Sequence, residues 1–185
     1  VFDIINNDKN KNVVIKSKEE LANNGYLLKV DNYVGVKEIQ YHNPRKLADF
    51  VSDKYRGYQM TSKEVEELED ENGEYEILTI SDIDNGIISS NLKKVSVNDN
   101  RFERYLVQEN DIIISSKGTR IKIAVVNNIE DRKIVANGNL LVLRIDTNKL
   151  NPYYLASYLN SSNGQATLNQ IQTGSVIISI NPSNL

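Results

Sequence analysis

The sequence predicts an α+β fold in which a curved, mostly antiparallel β-sheet carries several short flanking helices. Two observations point there. From residue 75 onward, short runs rich in Ile, Val, Leu and Tyr recur between clusters of Asp, Asn and Gly, at 75–80, 87–88, 112–115, 121–126 and 140–145, and β-branched and aromatic residues favour strands of that length. Beside these runs stand a few short helical starts, each marked by a capping side chain. At 185 residues and 39% hydrophobic content, the chain is long enough for one core and a small appendage, domains being typically about 100–150 residues.

The elements follow in order. Ser17, Lys18, Glu19 and Glu20 have the form of a capping box, in which hydroxyl and carboxylate satisfy backbone amides reciprocally, and Gly25 supplies a C-terminal stop, so a short helix is expected between them. Asn43 places a capping side chain before Pro44, and Leu47, Phe50 and Val51 then make an apolar stripe; this predicts a second helix ending near Tyr55. Residues 61–71 admit a charged helix or a solvated loop, because only Val65 and Leu68 are available for burial, and an exposed, mobile segment is the preferred reading. Residues 109–111 read as a polar turn before the strand that opens at Ile112. Residues 127–131 read as a hairpin turn joining 124–126 to 134–135. Asn151 and Pro152 start a helix with Leu155, Tyr158 and Leu159 on one face, 164–171 form another, and 176–180 a closing strand. A chain that opens at Val1 and stops within an apolar pattern is expected to be a fragment.

Composition narrows the chemistry. With no Cys and one His, disulfide scaffolds, thiolate metal sites and His-based zinc clusters are excluded, and a reducing cytoplasm is the expected setting. No apolar run approaches the ~20 residues of a transmembrane helix, so no membrane partner is expected. The net charge of −3 hides an asymmetry. Residues 64–76 hold eight carboxylates and no cation, whereas 91–133 hold nine basic side chains against six acidic. Distribution matters more than the total for a nucleic-acid partner, and weak binding in isolation is expected.

The most informative stretch is 106–120. After the strand comes a small-residue loop, Ser115 to Arg120, in which Gly118 allows positive φ and close backbone approach, while Lys117, Arg120 and then Lys122 project charge from one short segment. With Thr119, these are the leading candidates to meet a polyanion; solvated surface charges are the alternative. Arg56, Gly57, Tyr58 and Gln59 couple a cation and a permissive glycine to an aromatic ring and an amide able to bond adenine, the alternative being a Tyr58 packed on the core. Gln170, Gln172, Thr173 and Ser175 surround Gly174 at a helix-to-strand junction, where they either enter a groove or cap the helix. Lys93, Lys94, Arg101 and Arg104 suit non-specific phosphate contact.

The block at 106–120 also resembles the "Gly-Asp, apolar strand, Gly-Thr" segment of target recognition domains in the specificity subunits of type I restriction-modification systems. Further pieces fall in the same order: Leu47 to Phe50 before Arg56 and Gly57; 76–83 followed by Gly86; Asn139 and Leu140 with 143–146; 152–155 to 159–161; and Gly174, Ser175 with 177–180. The resemblance covers 41–185. Asn110 stands where that family usually has Gly. Residues 25–34, from Gly25 and Tyr26 to Tyr33 and Val34, resemble the closing tail of the N6-adenine methyltransferase subunits of the same systems. The resemblance therefore implies a tail or linker at 1–40 and a DNA target recognition domain at 41–185. It implies double-stranded DNA and a methyltransferase subunit or fused methyltransferase domain as partners, with a restriction subunit beside them. No cofactor is expected in the fragment itself, S-adenosylmethionine belonging to the associated methyltransferase. The alternative is a protein-interaction domain whose acidic segment and sheet edge engage partner subunits.

Catalysis is not expected. Asn151, Pro152, Tyr153 and Tyr154 lack the second proline of the Asn-Pro-Pro-aromatic motif of adenine methyltransferases, and no Gly-rich turn after a strand precedes them, so a helix start is the better reading. Asp111 with Asp131, Arg132 and Lys133 has the outline of a metal-dependent nuclease triad, but 127–131 reads as a turn and not as the apolar strand such a site requires. His42 has no Ser or Asp arrangement around it that would suggest nucleophilic catalysis.

Overall fold

The computed structural model describes residues 16–23, 26, 45–118, 120–173 and 179–180. The chain divides into two units, 1–43 and 44–185. In the first, α1 (Lys18–Asn23) starts as the sequence predicts: Ser17 Oγ accepts from the Glu20 amide at 3.1 Å and Glu20 Oε2 from the Ser17 amide at 2.9 Å. That backbone bond, with help from Lys16, pulls the Glu20 carboxyl down to about 2. Gly25, proposed as the helix stop, lies outside the described residues.

The second unit is built on two sheets. The first has the order β1 (Val51–Arg56), β9 (Leu140–Ile145), β6 (Ile112–Ser115), β7 (Ile123–Val125), every pair antiparallel. The second has the order β5 (Lys93–Val95), β2 (Tyr75–Leu78), β8 (Lys133–Ala136), with β2 and β8 parallel. Two small hairpins, β3 (Ile83–Asp84) with β4 (Ile87–Ile88) and β10 (Gln172–Thr173) with β11 (Ser179–Ile180), complete the strands.

The alternation along β6 shows how the layers form. Ile112 and Ile114 point into a cluster with Leu141, Leu143, Leu155, Leu159 and Leu168, the last three from helices α3 (Pro152–Asn160) and α4 (Ser162–Gln170). Ile113 points the other way, to Val142, Ala136, Leu78 and Ile83 beside the second sheet. A strand buried on both faces reads as an unbroken apolar run, and 112–114 is one. Asn151 caps α3 through Oδ1, which accepts from the Tyr153 amide at 2.8 Å, so the helix start predicted at Asn151 and Pro152 is borne out.

Three expectations give way. The helix predicted from Leu47 to Tyr55 is a single 3₁₀ turn, Leu47–Asp49, followed by β1. Three apolar residues do not fill a helical face, and the edge of β9 offers the main chain a ladder that runs from Val51 opposite Ile145 to Arg56 opposite Leu141. Residues 61–71 contain a helix, α2 (Ser62–Glu67), in place of the exposed, mobile segment preferred above. A capping box joins Thr61 and Glu64, and Val65, 7% exposed, anchors the helix in a third cluster with Met60, Tyr75, Ile77 and Phe102. Finally, 127–131 does not close a hairpin. β7 and β8 lie in different sheets, and the connection bends through Asn128 and Glu130, at φ 52° and 44°, to bring β8 parallel to β2.

Candidate nucleic-acid interface

β1 and β6 run in the same direction on either side of β9, so the last residues of both, the first of β9 and the first of β7 share one end of the first sheet. Most of the predicted loop residues converge there. Arg56 Nη1 donates to Ser116 Oγ and to the Gly138 carbonyl, both at 3.0 Å. Ser116 in turn donates to the Asn139 carbonyl through its amide at 2.8 Å and its hydroxyl at 2.9 Å. Arg56 therefore braces the 116–122 loop against the 137–139 turn. Tyr58 follows the packing alternative, its ring edge-on to Phe102 and Tyr105 with centroids 5.2 Å away in each case. Gln59 is exposed beside Gly138.

In the loop itself, Gly118 adopts φ 119°, Lys117 is half-buried and Arg120 exposed. Lys122 is placed differently. Its ammonium group donates to the Ile83 carbonyl at 2.7 Å and the Ile80 carbonyl at 3.1 Å, tying the β3–β4 hairpin to the base of the loop. Thr119 and Ser175 lie outside the described residues, and of Gln172 only the main chain, in β10, is described.

The cations assigned to phosphate contact divide. Lys93 donates to Glu69 at 2.8 Å, and this bond holds its ammonium above the ordinary lysine range. Arg101 forks onto Asp99, whose carboxyl falls to about 2. Lys94 and Arg104 are exposed. Farther along, Arg132 pairs with Glu76 and Lys133 with Glu74. Three of the nine cations at 91–133 are thus paired with the acidic segment at 64–76. Among the described residues, the ion pairs include neither Lys117 nor Arg120.

The nuclease outline comes apart. Asp111, 1% exposed, is held by Arg144 through Nε at 3.0 Å and Nη2 at 2.9 Å, with the Gln108 amide at 2.8 Å. Burial pushes this carboxyl up, against the pull of those donors. Asp131 is exposed in the connection and Lys133 is engaged elsewhere. Among the described residues, no three His, Cys, Asp or Glu side chains group to hold a metal.

One element at this end was read from the sequence only as the 87–88 run and the turn at Gly86, with no part in binding. Asp84, Asn85 and Gly86 of the β3–β4 hairpin share a cleft of about 660 Å³ with Arg120, Lys122 and, from α3, Ser157 and Asn160. The available signal was Asn85-Gly86 between Ile83-Asp84 and Ile87-Ile88, a two-residue hairpin signature.

The family described as "Type I restriction modification DNA specificity domain" matches residues 42–185. Among solved structures, the chain is similar to the type I restriction-modification system S subunit from M. genitalium, at 18% identity and a TM-score of 0.44, over 76% of this chain and 31% of that one. No curated protein sequence matches. Among the described residues, no helix is long and apolar enough to cross a membrane.

Proposed function

The chain belongs to the type I restriction-modification DNA specificity domain family, a family of target recognition, and from that premise we propose that the end of the first sheet formed by 56–59, 116–122 and 137–139 reads double-stranded DNA. The observation that carries this reading is the brace: Arg56 bonds Ser116 and Gly138 at 3.0 Å at the root of the loop that carries Lys117 and Arg120, and among the described residues neither cation enters an ion pair. Preorganised cations, here Lys117 and Arg120, fix register on phosphate, and the amide of Gln59 is the group suited to base edges. Lys94 and Arg104 supply non-specific contact. Thr119, Gln172 and Ser175 are assigned to DNA on the sequence alone.

The same reading makes 1–40 the tail of a methyltransferase module or a linker and 41–185 the recognition domain. Its partners are DNA, a methyltransferase subunit or fused domain that brings S-adenosylmethionine, and a restriction subunit, in the cytoplasm. The domain contributes binding energy and register and no bond-making step. A salt titration tests it. Binding of the chain to a short mixed-sequence duplex is expected to weaken linearly on log–log axes, and Arg120→Ala to reduce the slope by about one. Salt-independent or absent binding, with affinity for a methyltransferase subunit retained, would sink the reading in favour of a protein-interaction domain.

A further inference from the structure

The β3–β4 hairpin has no part in the assignment above, yet it is firmly held. Its turn, Asn85 at φ 48° and Gly86 at φ 83°, is the two-residue type whose twist matches the strands it joins. At its base, Ile83 is fully buried. The preceding 3₁₀ turn, Ile80–Asp82, is closed by Asp82 Oδ2, which accepts from the Thr79 amide at 2.8 Å and the Thr79 hydroxyl at 2.6 Å. The returning strand is pinned by the Ser89 amide on the Asp82 carbonyl at 2.8 Å. Lys122 then clamps the base by giving its ammonium to two main-chain carbonyls, those of Ile80 and Ile83. An ammonium group is strongly hydrated, and binding it to carbonyls instead of solvent or phosphate fixes the hairpin at the cost of a cation.

At the far end, Ile87 is 72% exposed. A single exposed isoleucine is ordinary on a protein surface. Here it stands on a clamped finger whose turn flanks the cleft holding Arg120. Opposite it in the hairpin register is Asp84, which is exposed as well. A carboxylate there repels phosphate, so the finger suits base edges better than the DNA backbone. Of the groups that base pairs present in the grooves, the thymine C5-methyl in the major groove is the apolar one.

We propose that the β3–β4 hairpin is a base-reading finger whose Ile87 contacts a thymine methyl in the major groove, and that Lys122 is a positioning residue for it and makes no phosphate contact. The proposal rests on the DNA-reading function above. The full chain is used to select from a random-sequence duplex pool prepared with dTTP and from the same pool prepared with dUTP, which removes only the methyl group. The wild-type chain is expected to enrich a motif in the thymine pool and to lose about fourfold preference at one A·T position in the uracil pool, the worth of one buried methyl. Ile87→Ala, at an exposed site that folding does not need, should show that loss already in the thymine pool and no further loss with uracil. Lys122→Met should reproduce the Ile87→Ala motif while leaving the salt dependence of binding unchanged. A wild-type motif insensitive to the methyl, or one that Ile87→Ala leaves intact, overturns the finger. A salt slope lowered by about one in Lys122→Met makes Lys122 a phosphate contact and overturns its positioning role. No enriched motif in either pool sinks the DNA-reading premise itself.

Discussion

Gly57 shows what one residue contributes to the candidate interface. A Cβ there would fall 2.3 Å from the Ala136 carbonyl oxygen and 2.4 Å from that of Asn137, both main-chain atoms that cannot swing away. The close approach lets the Gly57 amide reach the Leu140 carbonyl at 3.0 Å and the Tyr58 amide the Ala136 carbonyl at 2.7 Å. Gly57→Ala must separate these segments, and a destabilisation of about 3 kcal/mol is expected. Denaturant unfolding measures it, and an unchanged midpoint would mean the 136–138 turn yields easily. A permissive glycine next to Arg56 is visible in the sequence, but the carbonyls it accommodates, eighty residues along the chain, are not. Asn110 illustrates the reverse. It stands where glycine is usual in the resembled family, and it adopts φ 71° while its amide bonds the Val126 carbonyl at 2.9 Å. Asn tolerates that region better than other residues with a Cβ, so the turn keeps its geometry.

At the scale of the element, α2 turns on a capping box and one buried side chain. The Thr61 amide and hydroxyl, bonded to Glu64 at 2.7 and 2.8 Å, pull the Glu64 carboxyl below its ordinary range. A carboxyl whose folded pKa is lowered contributes stability that is complete above its unfolded pKa, about 4.3, and is lost as pH falls through the folded value. Amide exchange across 61–68 is therefore expected to lose protection on acidification below about pH 4 in the wild-type chain and to lose this pH dependence in Glu64→Gln. Identical profiles would show that Val65 alone holds the helix. The Thr61–Glu64 spacing is a capping-box signal that the preference for an exposed segment passed over; that Val65 finds Met60 and Phe102 beneath it is visible only in the fold. The same limit explains β1. Leu47, Phe50 and Val51 fit a helical period, and only the vacant edge of β9 makes 51–56 a strand.

For the whole molecule, the arrangement of charge matters more than its sum. Lys93, Arg132 and Lys133 fall in the basic stretch of the sequence, yet the fold sets them against Glu69, Glu76 and Glu74. The counterion slope counts phosphates neutralised, and an ammonium already resting on a carboxylate adds little to it. Lys93→Ala is accordingly expected to leave the salt slope for duplex binding unchanged, in contrast to the drop expected for Arg120→Ala. A fall of about one for Lys93→Ala would place that lysine on phosphate and count against the division of roles.

What the sequence by itself determined is local: the apolar strands 112–115 and 140–145, the capped starts at Ser17 and Asn151, the glycine-bearing loop with its cations, and through their order the family. Tertiary structure decided how these pieces meet. It made β2 and β8 parallel neighbours, sent Lys122 to the hairpin carbonyls and Tyr58 to the core, and set Lys93, Arg132 and Lys133 against the acidic stretch. The physical reason is range. Periodicity and capping act within a few residues of chain, whereas sheet pairing, ion pairing and packing join residues dozens of positions apart.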